Sequence, residues 1–374
     1  MKILYVLQNF PPSDFGGISK SMYEVIYEIN SFNHDLKVLT TSYKLSKCEV
    51  VMNKWTKFKG INVIYVRMRN PIFFFKFFLE GFRQINKSDL IHLSSIFFYP
   101  SLIFALYSNF LGKPFVLTVH GELHPAALKF KSWKKKPYLF IMSLLLKKSN
   151  FLATSKTEFT YIKRYFPESK ISIIPNSFKL DLPINERKIN QFIFLGRICP
   201  IKNIENLIIG CSESKEFRKE NFKFLLIGPI DNAFPQYKEK LKKLIDKFDL
   251  ANNIIFTGEV NSPIKEKLIS QSKALFLVSH SENFGNVVID SLAQGTLVVA
   301  SKGAPWQELE TWNCGFWIES SSKVIALAID DLILMNKQTY DEMSDNALLL
   351  SKEYTTAKII PMWLKLNLEI LTHV

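Results

Sequence analysis

The sequence predicts an α/β protein made of two doubly wound domains in tandem. Short apolar runs recur along the 374 residues and are separated by segments of helical length. This alternation is found on both sides of the polar stretch Leu180–Asn190. Runs that are apolar on both faces are typical of a parallel sheet covered by helices on two sides. With 47% hydrophobic residues, the chain has enough apolar material for two cores.

The apolar runs predict the individual strands. In the first half they are Ile3–Leu7, Lys37–Thr41, Val63–Val66, Leu90–Leu93, Phe115–Val119, Phe151–Ala153 and Ile171–Ile174. In the second half they are Phe192–Leu195, Phe224–Ile227, Ile254–Phe256, Ala274–Val278 and Leu297–Ala300. Ligands of such sheets bind beyond the carboxyl ends of the strands, so two facing domains predict one cleft between them.

Segments of helical length separate these strands. In the first half they are Ser19–Asn30, Tyr99–Leu111, Tyr138–Lys148 and Lys156–Tyr165. In the second half they are Asn203–Gly210, Tyr237–Phe248, Ile264–Ser270, Asn286–Ala293, Val324–Met335 and Ala357–Leu371. The polar stretch Leu180–Asn190 contains Pro183 and has little periodicity, which predicts the linker between the domains.

Positive charge is concentrated in the first half of the chain. Residues 1–183 hold 26 lysines and arginines against 11 aspartates and glutamates, whereas residues 184–374 hold 22 against 23. This asymmetry indicates that one domain meets an anionic partner, namely phospholipid, nucleic acid or a phosphorylated acceptor. A solubilising surface in a lysine-rich proteome is an equally good interpretation of the composition.

The cysteines and the N-terminus bear on the cellular compartment. The four cysteines, Cys48, Cys199, Cys211 and Cys314, are widely separated and form no CxxC pair, which favours reduced thiols in a cytoplasmic protein without a disulfide frame or zinc site. The N-terminus resembles a strand and a glycine loop more than a signal peptide. The longest apolar run, Ile96–Tyr107, is too short to span a bilayer.

Two candidate functional positions lie in the first half. Gly16 and Gly17 follow the first predicted strand, and glycines there let backbone N–H groups approach an anion. The loop is not GxGxxG, so a dinucleotide fingerprint is missing, and by itself the loop fits a tight turn equally well. His120 follows a predicted strand and is expected to point into the cleft; a structural histidine is the alternative.

A pair of cations follows the strand that ends at Leu195. Arg197 and Lys202 are five residues apart, after the turn at Gly196 and just before a predicted helix. An arginine fork and a lysine point charge both suit a diphosphate group. Two solvated loop cations are the alternative, but the position after a strand favours diphosphate binding.

The segment Val278–Gly295 has the densest set of candidate residues. A strand ends, a glycine-containing loop follows, and a helix begins near Asn286, whose N-terminus offers backbone donors to a sugar or phosphate. Glu282 precedes this helix and Asp290 lies about one turn inside it. Either carboxylate can accept hydrogen bonds from sugar hydroxyls, although a loop charge and an exposed helix residue are the alternatives.

Taken together, these motifs resemble the family 4 glycosyltransferases, which have the GT-B fold of two Rossmann-like domains facing each other across a cleft. The strongest parts of the resemblance are Gly196-Arg197 with Lys202, and Glu282 with Asp290 in the spacing E-x7-E. Weaker parts occur in the family's order and are Gly16-Gly17, His120-Gly121, Ile174-Pro175-Asn176, Gly228-Pro229 and Phe256-Thr257-Gly258.

The resemblance implies a role for each matching position. Arg197 and Lys202 would bind the donor diphosphate and stabilise its departure, Glu282 would contact the donor sugar, and Asp290 would hydrogen bond the ribose. His120 would line the reaction centre. Further donor contacts are implied for Gly16, Gly17, Val260, Phe284, Gly285, Asn286 and Val287.

The resemblance also implies the organisation and chemistry of the enzyme. Residues 1–183 would form the acceptor-side domain, residues 184–355 would bind the nucleotide sugar, and a helix over 356–374 would return to the first domain. The reaction would retain anomeric configuration without a metal or other cofactor, using a UDP- or GDP-linked donor in surface polysaccharide or lipid-linked glycan synthesis. Asp330-Asp331 is not the DxD pair of metal-dependent transferases.

This sequence departs from the family pattern at two positions. Asp290 stands where glutamate is usual and is one methylene shorter, so its contact with the ribose is expected to be water-mediated or to need a shifted helix. Ser177 stands where glycine commonly follows Pro-Asn, which concerns a turn more than the chemistry.

Aromatic and basic residues are mixed in two segments of the first half. Ile72–Arg83 is rich in phenylalanine, and a lysine cluster lies near Phe130, Trp133 and Tyr138, with members Lys129, Lys131, Lys134, Lys135 and Lys136. Such segments suit an anionic membrane interface, which predicts a peripheral protein on the inner face of the cytoplasmic membrane. A core-packed helix over Phe73–Phe82 is the alternative.

Three other functions compete with a glycosyltransferase. An epimerase-like enzyme of the same fold, acting on nucleotide sugars, differs only in its product. A NAD-dependent oxidoreductase is opposed by the missing GxGxxG motif. A basic nucleic-acid-binding protein would bind DNA or RNA in a salt-sensitive way and would have no affinity for nucleotide sugars.

Overall fold

The computed structural model describes residues 1–13, 16–43, 45, 50–68, 71–129, 132–179, 183–184 and 186–372. The chain divides into two compact units. The first unit comprises Met1–Lys179 and Thr355–Val374, and the second comprises Leu180–Tyr354. Each unit contains its own parallel sheet, which confirms the predicted α/β class.

The sheet of the first unit has eight strands in the order β3-β4-β2-β1-β5-β6-β7-β8. The strands are β1 (Lys2–Leu7), β2 (Asp35–Thr41), β3 (Trp55–Phe58), β4 (Ile61–Val66), β5 (Leu90–Ser94), β6 (Phe115–Thr118), β7 (Asn150–Ala153) and β8 (Lys170–Ile173). All pairs are parallel except β3 with β4. The seven predicted strands are present, and the antiparallel edge strand β3 was not predicted.

Helices connect these strands, as a parallel sheet requires. They are α1 (Gly16–Asn30), α2 (Pro71–Lys87), α3 (Tyr99–Phe110), α4 (Pro125–Lys129), α5 (Ser132–Leu145) and α6 (Lys156–Tyr165). Helix α1 begins at Gly16, so the predicted start at Ser19 was wrong by three residues. Helix α6 begins at an N-cap serine, Ser155, whose hydroxyl accepts a hydrogen bond from the Glu158 amide.

Helix α2 contains the aromatic segment for which a membrane contact was predicted. Phe77 is buried and packs against Phe104 of α3, with 5.8 Å between ring centroids. A Cβ atom on Gly81 would lie 2.1 Å from the Phe104 ring, so glycine permits the close approach of α2 and α3. This face of α2 is therefore core, whereas Phe75 is exposed. The side chains of residues 71–74 lie outside the described set.

The second unit has a six-stranded sheet, all parallel, in the order β11-β10-β9-β12-β13-β14. Its strands are β9 (Gln191–Leu195), β10 (Lys223–Ile227), β11 (Ile254–Gly258), β12 (Ala274–Leu277), β13 (Leu297–Ser301) and β14 (Gly315–Ile318). Its helices are α7 (Ile204–Glu213), α8 (Tyr237–Lys247), α9 (Ile264–Gln271), α10 (Asn286–Leu292), α11 (Glu308–Thr311), α12 (Ser322–Leu334) and α13 (Lys337–Lys352). Strand β14 and helices α11 and α13 were not predicted.

Helix α14 (Thr356–Thr372) belongs to the first unit although it is the last element of the chain. Ile360, Trp363 and Leu366 are buried in the same core cluster as the β1 side chains. Its first turn is anchored by the amide of Thr356, which donates to the carbonyl of Phe178 at 3.1 Å. Both ends of the chain therefore contribute to one core.

The linker segment packs onto the second unit where it is described. Residues 180–182 and 185 of the predicted linker lie outside the described residues. Lys188 donates from Nζ to Oγ1 of Thr296 at 2.7 Å, and the amide of Ile189 donates to the carbonyl of Gln271 at 2.9 Å. These bonds tie the segment just before β9 to that unit.

Cys199, Cys211 and Cys314 are free thiols and are buried, while Cys48 lies outside the described residues. Burial raises the pKa of Cys314 to about 12, which keeps this thiol protonated at neutral pH. In the part of the chain that the structure describes, no helix combines the length and the apolar character needed to cross a membrane.

Candidate active site

Two loops of the second unit lie side by side where β9 and β10 end. The amide of Gly196 donates to the carbonyl of Ile227 at 3.0 Å. A Cβ atom on Gly228 would lie 2.0 Å from the carbonyl oxygen of Gly196, so no other residue fits there without a backbone shift. Both glycines have positive φ, +149° at Gly196 and +140° at Gly228. This close approach fixes where the loop carrying Arg197 begins.

Arg197 is ion paired with an aspartate that the sequence did not single out. Its Nη1 atom lies 2.5 Å from Oδ2 of Asp231 in the neighbouring loop. Asp231 is itself held in place because its Oδ1 atom accepts a hydrogen bond from the Ala233 amide at 3.0 Å. The arginine side chain is 61% exposed, so solvent reaches the guanidinium despite the ion pair.

Lys202 ends a one-turn 3-10 helix, Pro200–Lys202, that precedes α7. The next residue, Asn203, is left-handed at φ +56° and buried. Its side-chain amide donates to the carbonyls of Val278 at 3.1 Å and Ser320 at 3.0 Å. Asparagine tolerates this backbone conformation well, and its side chain here fastens the lysine-bearing loop to the end of β12.

Lys202 and Glu282 are brought together as an ion pair. Nζ of Lys202 contacts Oε1 of Glu282, and the two side chains are only 15% and 12% exposed. Ser279 donates to the same carboxylate oxygen at 2.8 Å. The backbone holds this geometry as well, since the Glu282 amide donates to the carbonyl of Gly303 at 2.9 Å. A predicted diphosphate-binding cation and a predicted sugar-binding carboxylate are thus direct neighbours.

The loop before α10 turns at Gly285, which has φ +81°. A Cβ atom on Gly285 would lie 2.8 Å from the end of the Leu277 side chain, so the positive φ is the main reason for glycine here. Asn286 and Val287 form the first turn of the seven-residue helix α10 and are half-buried. Their backbone is placed at the helix start, as the sequence predicted.

Phe284, for which a donor contact was predicted, packs among aromatic side chains of the second unit. Its ring is buried and packs edge-on against Trp306, with 5.1 Å between centroids, and against Tyr354 at 5.7 Å. The Trp306 indole donates to the Phe284 carbonyl. The aromatic side chain therefore supports the loop from within, and donor binding by Phe284 stays a prediction.

Asp290 lies on α10 and is paired with Lys265 of α9. Nζ of Lys265 is 3.0 Å from Oδ2 of Asp290. Lys265 was not predicted, because a lysine in an ordinary surface helix carries no motif. Val260 lies between β11 and α9 and is half-buried, after a left-handed residue at Gly258.

The carboxyl edge of the first unit's sheet carries His120. It follows β6 in a left-handed conformation, φ +54°, and Gly121 continues the tight turn at φ +75°. Nε2 of His120 lies 2.8 Å from Oγ of Ser94 at the end of β5. Burial lowers the pKa of His120 to about 4, so the imidazole is neutral at physiological pH.

Two glutamates, buried Glu158 and half-buried Glu122, support this edge and were not predicted from the sequence. Glu158 accepts hydrogen bonds from the amides of Gly121 and Thr154, the latter at 2.6 Å. Glu122 accepts a hydrogen bond from the hydroxyl of Ser95 at 2.6 Å. Burial raises the pKa of both carboxyls, and these hydrogen bonds to the ionised forms counteract part of that effect.

Gly16 and Gly17 form the first turn of α1. The Gly17 carbonyl accepts a hydrogen bond from the Ser21 hydroxyl at 2.9 Å. Their backbone N–H groups are therefore those of a helix N-terminus, whereas the sequence predicted a loop before the helix. Asp14 and Phe15 of that loop lie outside the described residues.

No group of three or more histidines, cysteines, aspartates or glutamates is placed to bind a metal ion within the described residues. The aspartate pair Asp330-Asp331 lies in α12. Asp330 caps a neighbouring turn, since its carboxylate accepts hydrogen bonds from Ser214 at 2.5 Å and from the Glu216 amide at 3.0 Å. These contacts of Asp330 therefore stabilise a turn.

The chain matches two glycosyltransferase families. Residues 176–349 match the family described as Glycosyl transferases group 1, and residues 15–182 match Glycosyltransferase Family 4. The loops built from Gly196 to Asp290 fall within the first match, and His120 falls within the second. The protein belongs to the family 4 glycosyltransferases.

Individual relatives agree with this assignment. An uncharacterized glycosyltransferase of Methanocaldococcus jannaschii is 24% identical over 347 residues, 85% of each chain. In Campylobacter jejuni, a GalNAc-alpha-(1->4)-GalNAc-alpha-(1->3)-diNAcBac-PP-undecaprenol alpha-1,4-N-acetyl-D-galactosaminyltransferase is 26% identical over 341 residues, 88% of this chain and 87% of the relative.

A solved structure establishes the fold. The crystal structure of Anabaena HepE in complex with UDP and glucose matches with a TM-score of 0.75 at 18% identity, covering 99% of this chain and 100% of the other. The two units, each with a parallel sheet, thus correspond to the two Rossmann-like domains of the GT-B fold.

Proposed function

We propose that this protein is a retaining glycosyltransferase that moves a sugar from a UDP- or GDP-linked donor to a glycan or lipid-linked acceptor in surface polysaccharide biosynthesis. One observation carries the proposal. Arg197 and Lys202 stand at the carboxyl edge of the second unit's sheet, and Lys202 is in contact with Glu282. Cations and a carboxylate in this arrangement suit a sugar diphosphate.

The two cations account for how the diphosphate leaves the donor sugar. Negative charge develops on the diphosphate as the glycosidic bond breaks, and fixed positive groups stabilise that charge more than they stabilise the ground state. Both cations are paired with carboxylates in the structure. A bound diphosphate therefore replaces Asp231 as the partner of Arg197 and Glu282 as the partner of Lys202. Glu282 is then released to accept hydrogen bonds from the donor sugar.

Retention of configuration follows from the family resemblance. The acceptor attacks the face of the sugar from which the diphosphate leaves, and a phosphate oxygen takes the acceptor proton. Lys202 and Arg197 hold that phosphate in position during the transfer. Neutral His120 donates or accepts a hydrogen bond at the reaction centre without adding charge, in keeping with its lowered pKa.

The relatives support particular substrates. The structural relative from Anabaena is described with UDP and glucose, which supports UDP as the first donor nucleotide to test. The Campylobacter relative is named for an acceptor on PP-undecaprenol, which supports a lipid-linked acceptor. We propose that Asp290 binds the ribose of the donor and that Val260 borders its base.

Helix α5 supports attachment to an anionic membrane. One face, with Leu139 and Met142, is buried, yet Trp133 is 73% exposed and Phe140 is 66% exposed on the other. Leu144 continues this exposed apolar stripe. The stripe is flanked by exposed lysines, which are Lys134, Lys136, Lys147 and Lys148. Aromatic groups at headgroup depth with lysines near phosphate form a typical interfacial helix.

Nucleotide binding and product analysis test the enzymatic part of the proposal. Wild-type protein is screened by thermal shift against UDP, GDP and their sugars, and products formed on lipid-linked acceptors are analysed by mass spectrometry. We expect stabilisation by one nucleotide and transfer with retained anomeric configuration, measured by NMR. Products that are epimerised nucleotide sugars, without transfer, would favour the epimerase-like alternative.

Liposome flotation tests the membrane part. Wild-type protein is expected to float with vesicles containing anionic phosphatidylglycerol at low salt, and less so with phosphatidylcholine vesicles. Trp133→Ser with Phe140→Ser should abolish flotation, whereas Leu327→Ser with Leu334→Ser, exposed apolar positions of α12, should not. Wild-type protein that stays unbound at low salt would end the membrane proposal without touching the enzymatic one.

A further inference from the structure

Lys265 lies in the first turn of α9 and reaches a carboxylate on a different helix. Its Nζ atom is 3.0 Å from Oδ2 of Asp290 on α10 and 3.4 Å from Oε1 of Glu266. The lysine side chain is 19% exposed and that of Asp290 is 24% exposed, so the pair is largely removed from solvent. Ion pairs in such surroundings are screened less than surface pairs and hold a defined geometry.

The electrostatics keep this lysine charged. Burial alone would lower the pKa of Lys265, but the carboxylates of Asp290 and Glu266 outweigh that effect, and the pKa is raised. Glu266 is in turn held by the hydroxyl of Ser262, which donates to its Oε1 at 2.6 Å. Lys265 is thus clamped between two carboxylates, one of which is fixed by its own neighbour.

The contact explains how a short side chain can serve at this position. Asp290 is one methylene shorter than the glutamate usual there in the family, and so its carboxylate has fewer rotamers with which to meet a ligand. Lys265 binds Oδ2 and thereby restricts the rotation of the carboxylate. Oδ1 is then presented for a hydroxyl group, because a carboxylate accepts several hydrogen bonds at once.

We propose that Lys265 is a positioning residue that aligns the Asp290 carboxylate with a ribose hydroxyl of the donor nucleotide and so sets the preference for ribonucleotides over deoxyribonucleotides. This inference rests on the proposed function, in which Asp290 binds the ribose. Lys265 itself touches neither the sugar that is transferred nor the diphosphate; it acts through Asp290.

The test compares affinities for ribose and deoxyribose forms of one nucleotide. Calorimetry measures binding of UDP, 2′-deoxy-UDP and 3′-deoxy-UDP, with the guanine series used if wild type binds GDP instead. Wild type should prefer the ribonucleotide over one deoxy form by about tenfold or more, as expected for a hydrogen bond to a charged group. Lys265→Met should reduce that preference to less than about threefold, whereas Lys265→Arg should keep most of it.

Lys267 provides the matched control. It lies on the same helix and forms a longer, 3.7 Å contact with Glu186, at 56% exposure. Lys267→Met should therefore discriminate ribose from deoxyribose like wild type. If Lys265→Met does not fold, Lys265→Gln takes its place, with a fall in preference of at least about threefold expected.

Lengthening the carboxylate provides a second test. Asp290→Glu should restore ribose discrimination in the Lys265→Met background, because the longer side chain no longer depends on the lysine for its reach. Full discrimination by both Lys265→Met and Lys265→Gln would overturn the inference and leave the proposed function intact. Binding of neither UDP nor GDP by wild type would overturn both.

Discussion

Lys202 and Glu282 form an ion pair within the second unit, although 80 positions separate them in the chain. The sequence assigned both residues to a donor, but as separate contacts. The structure instead joins them, with Ser279 as a third member. The cation and the carboxylate therefore neutralise each other, and under the proposed function a donor would compete with this pair.

Lys202→Met should separate the catalytic role of this lysine from its structural one. Loss of the cation is expected to lower kcat by about 100-fold or more, as for other groups that stabilise a leaving charge. Stability should fall by about 2–3 kcal/mol because Glu282 is left largely buried without a counter-ion. Urea unfolding and initial rates measure the two effects.

The double variant Lys202→Met with Glu282→Gln serves as the control for that prediction. It should regain part of the lost stability, since no unpaired charge remains, but none of the lost turnover. A double variant that is no more stable than Lys202→Met would argue against the coupling of the two residues.

Arg197→Ala should behave differently from the lysine variant. Because the arginine is exposed, its ion pair with Asp231 is expected to contribute less than about 1 kcal/mol to stability. Turnover should nevertheless fall by about 100-fold. Lys337→Ala, which removes another exposed ion-paired cation, is the control and should leave both unchanged. An Arg197→Ala enzyme with normal turnover would refute the leaving-group role.

The close approach of Gly196 and Gly228 predicts how substitutions at these glycines affect stability. Gly228→Ala is expected to cost more than about 3 kcal/mol, because its Cβ would collide with the Gly196 carbonyl in a backbone region that only glycine adopts. Gly258→Ala has positive φ as well but no atom within 4 Å of the added Cβ, so it should cost about 1–2 kcal/mol. Equal losses in urea unfolding would contradict the proposed collision.

The lowered pKa of His92 predicts that the folded protein loses stability in acid. Burial lowers its pKa to about 4, against about 6.5 in an unfolded chain. Between these values the unfolded chain binds a proton that the folded chain does not, so this contribution to stability is complete above pH 6.5 and decreases toward pH 4. Burial lowers the pKa of His120 to about the same value, which adds an effect of the same sign.

The variant His92→Gln isolates that contribution, which matters because the raised pKa values of Glu122 and Glu158 act in the opposite direction. The free-energy difference between wild type and variant should shrink by about 1.4 kcal/mol for each pH unit between pH 6.5 and about 4. Unfolding in urea at several pH values measures it. A difference that does not vary with pH would contradict the assigned pKa.

Regular apolar runs made most of the fold predictable. The exceptions have physical causes. Strand β3 is an edge strand whose side chains are half-buried or, at Lys57, exposed, so it has no continuous apolar run. Helix α13 is polar on much of its surface and was overlooked for the same reason. Strand β14 is also an edge strand; it begins at Gly315, and its other three side chains are only half-buried.

Motifs at strand ends made part of the candidate site predictable. Lys202 and Glu282 come together, and Arg197 follows a neighbouring strand, because parallel strands end at the same edge of a sheet. The roles of all three residues stay predictions. The partners Asp231 and Lys265 were not predictable, since pairing between side chains of different loops depends on rotamers and leaves no pattern in a sequence.

Helix α14 gives the chain a particular order of assembly. The core of the first unit includes Trp363 and Leu366, which the ribosome adds after the whole second unit. During synthesis, therefore, the apolar surface of the first sheet that α14 covers stays exposed to solvent until α14 is made. The second unit can already complete its own core by then. A chain that stops near Tyr354 leaves that surface open permanently, and translational stalling or proteolytic trimming there would yield an aggregation-prone product.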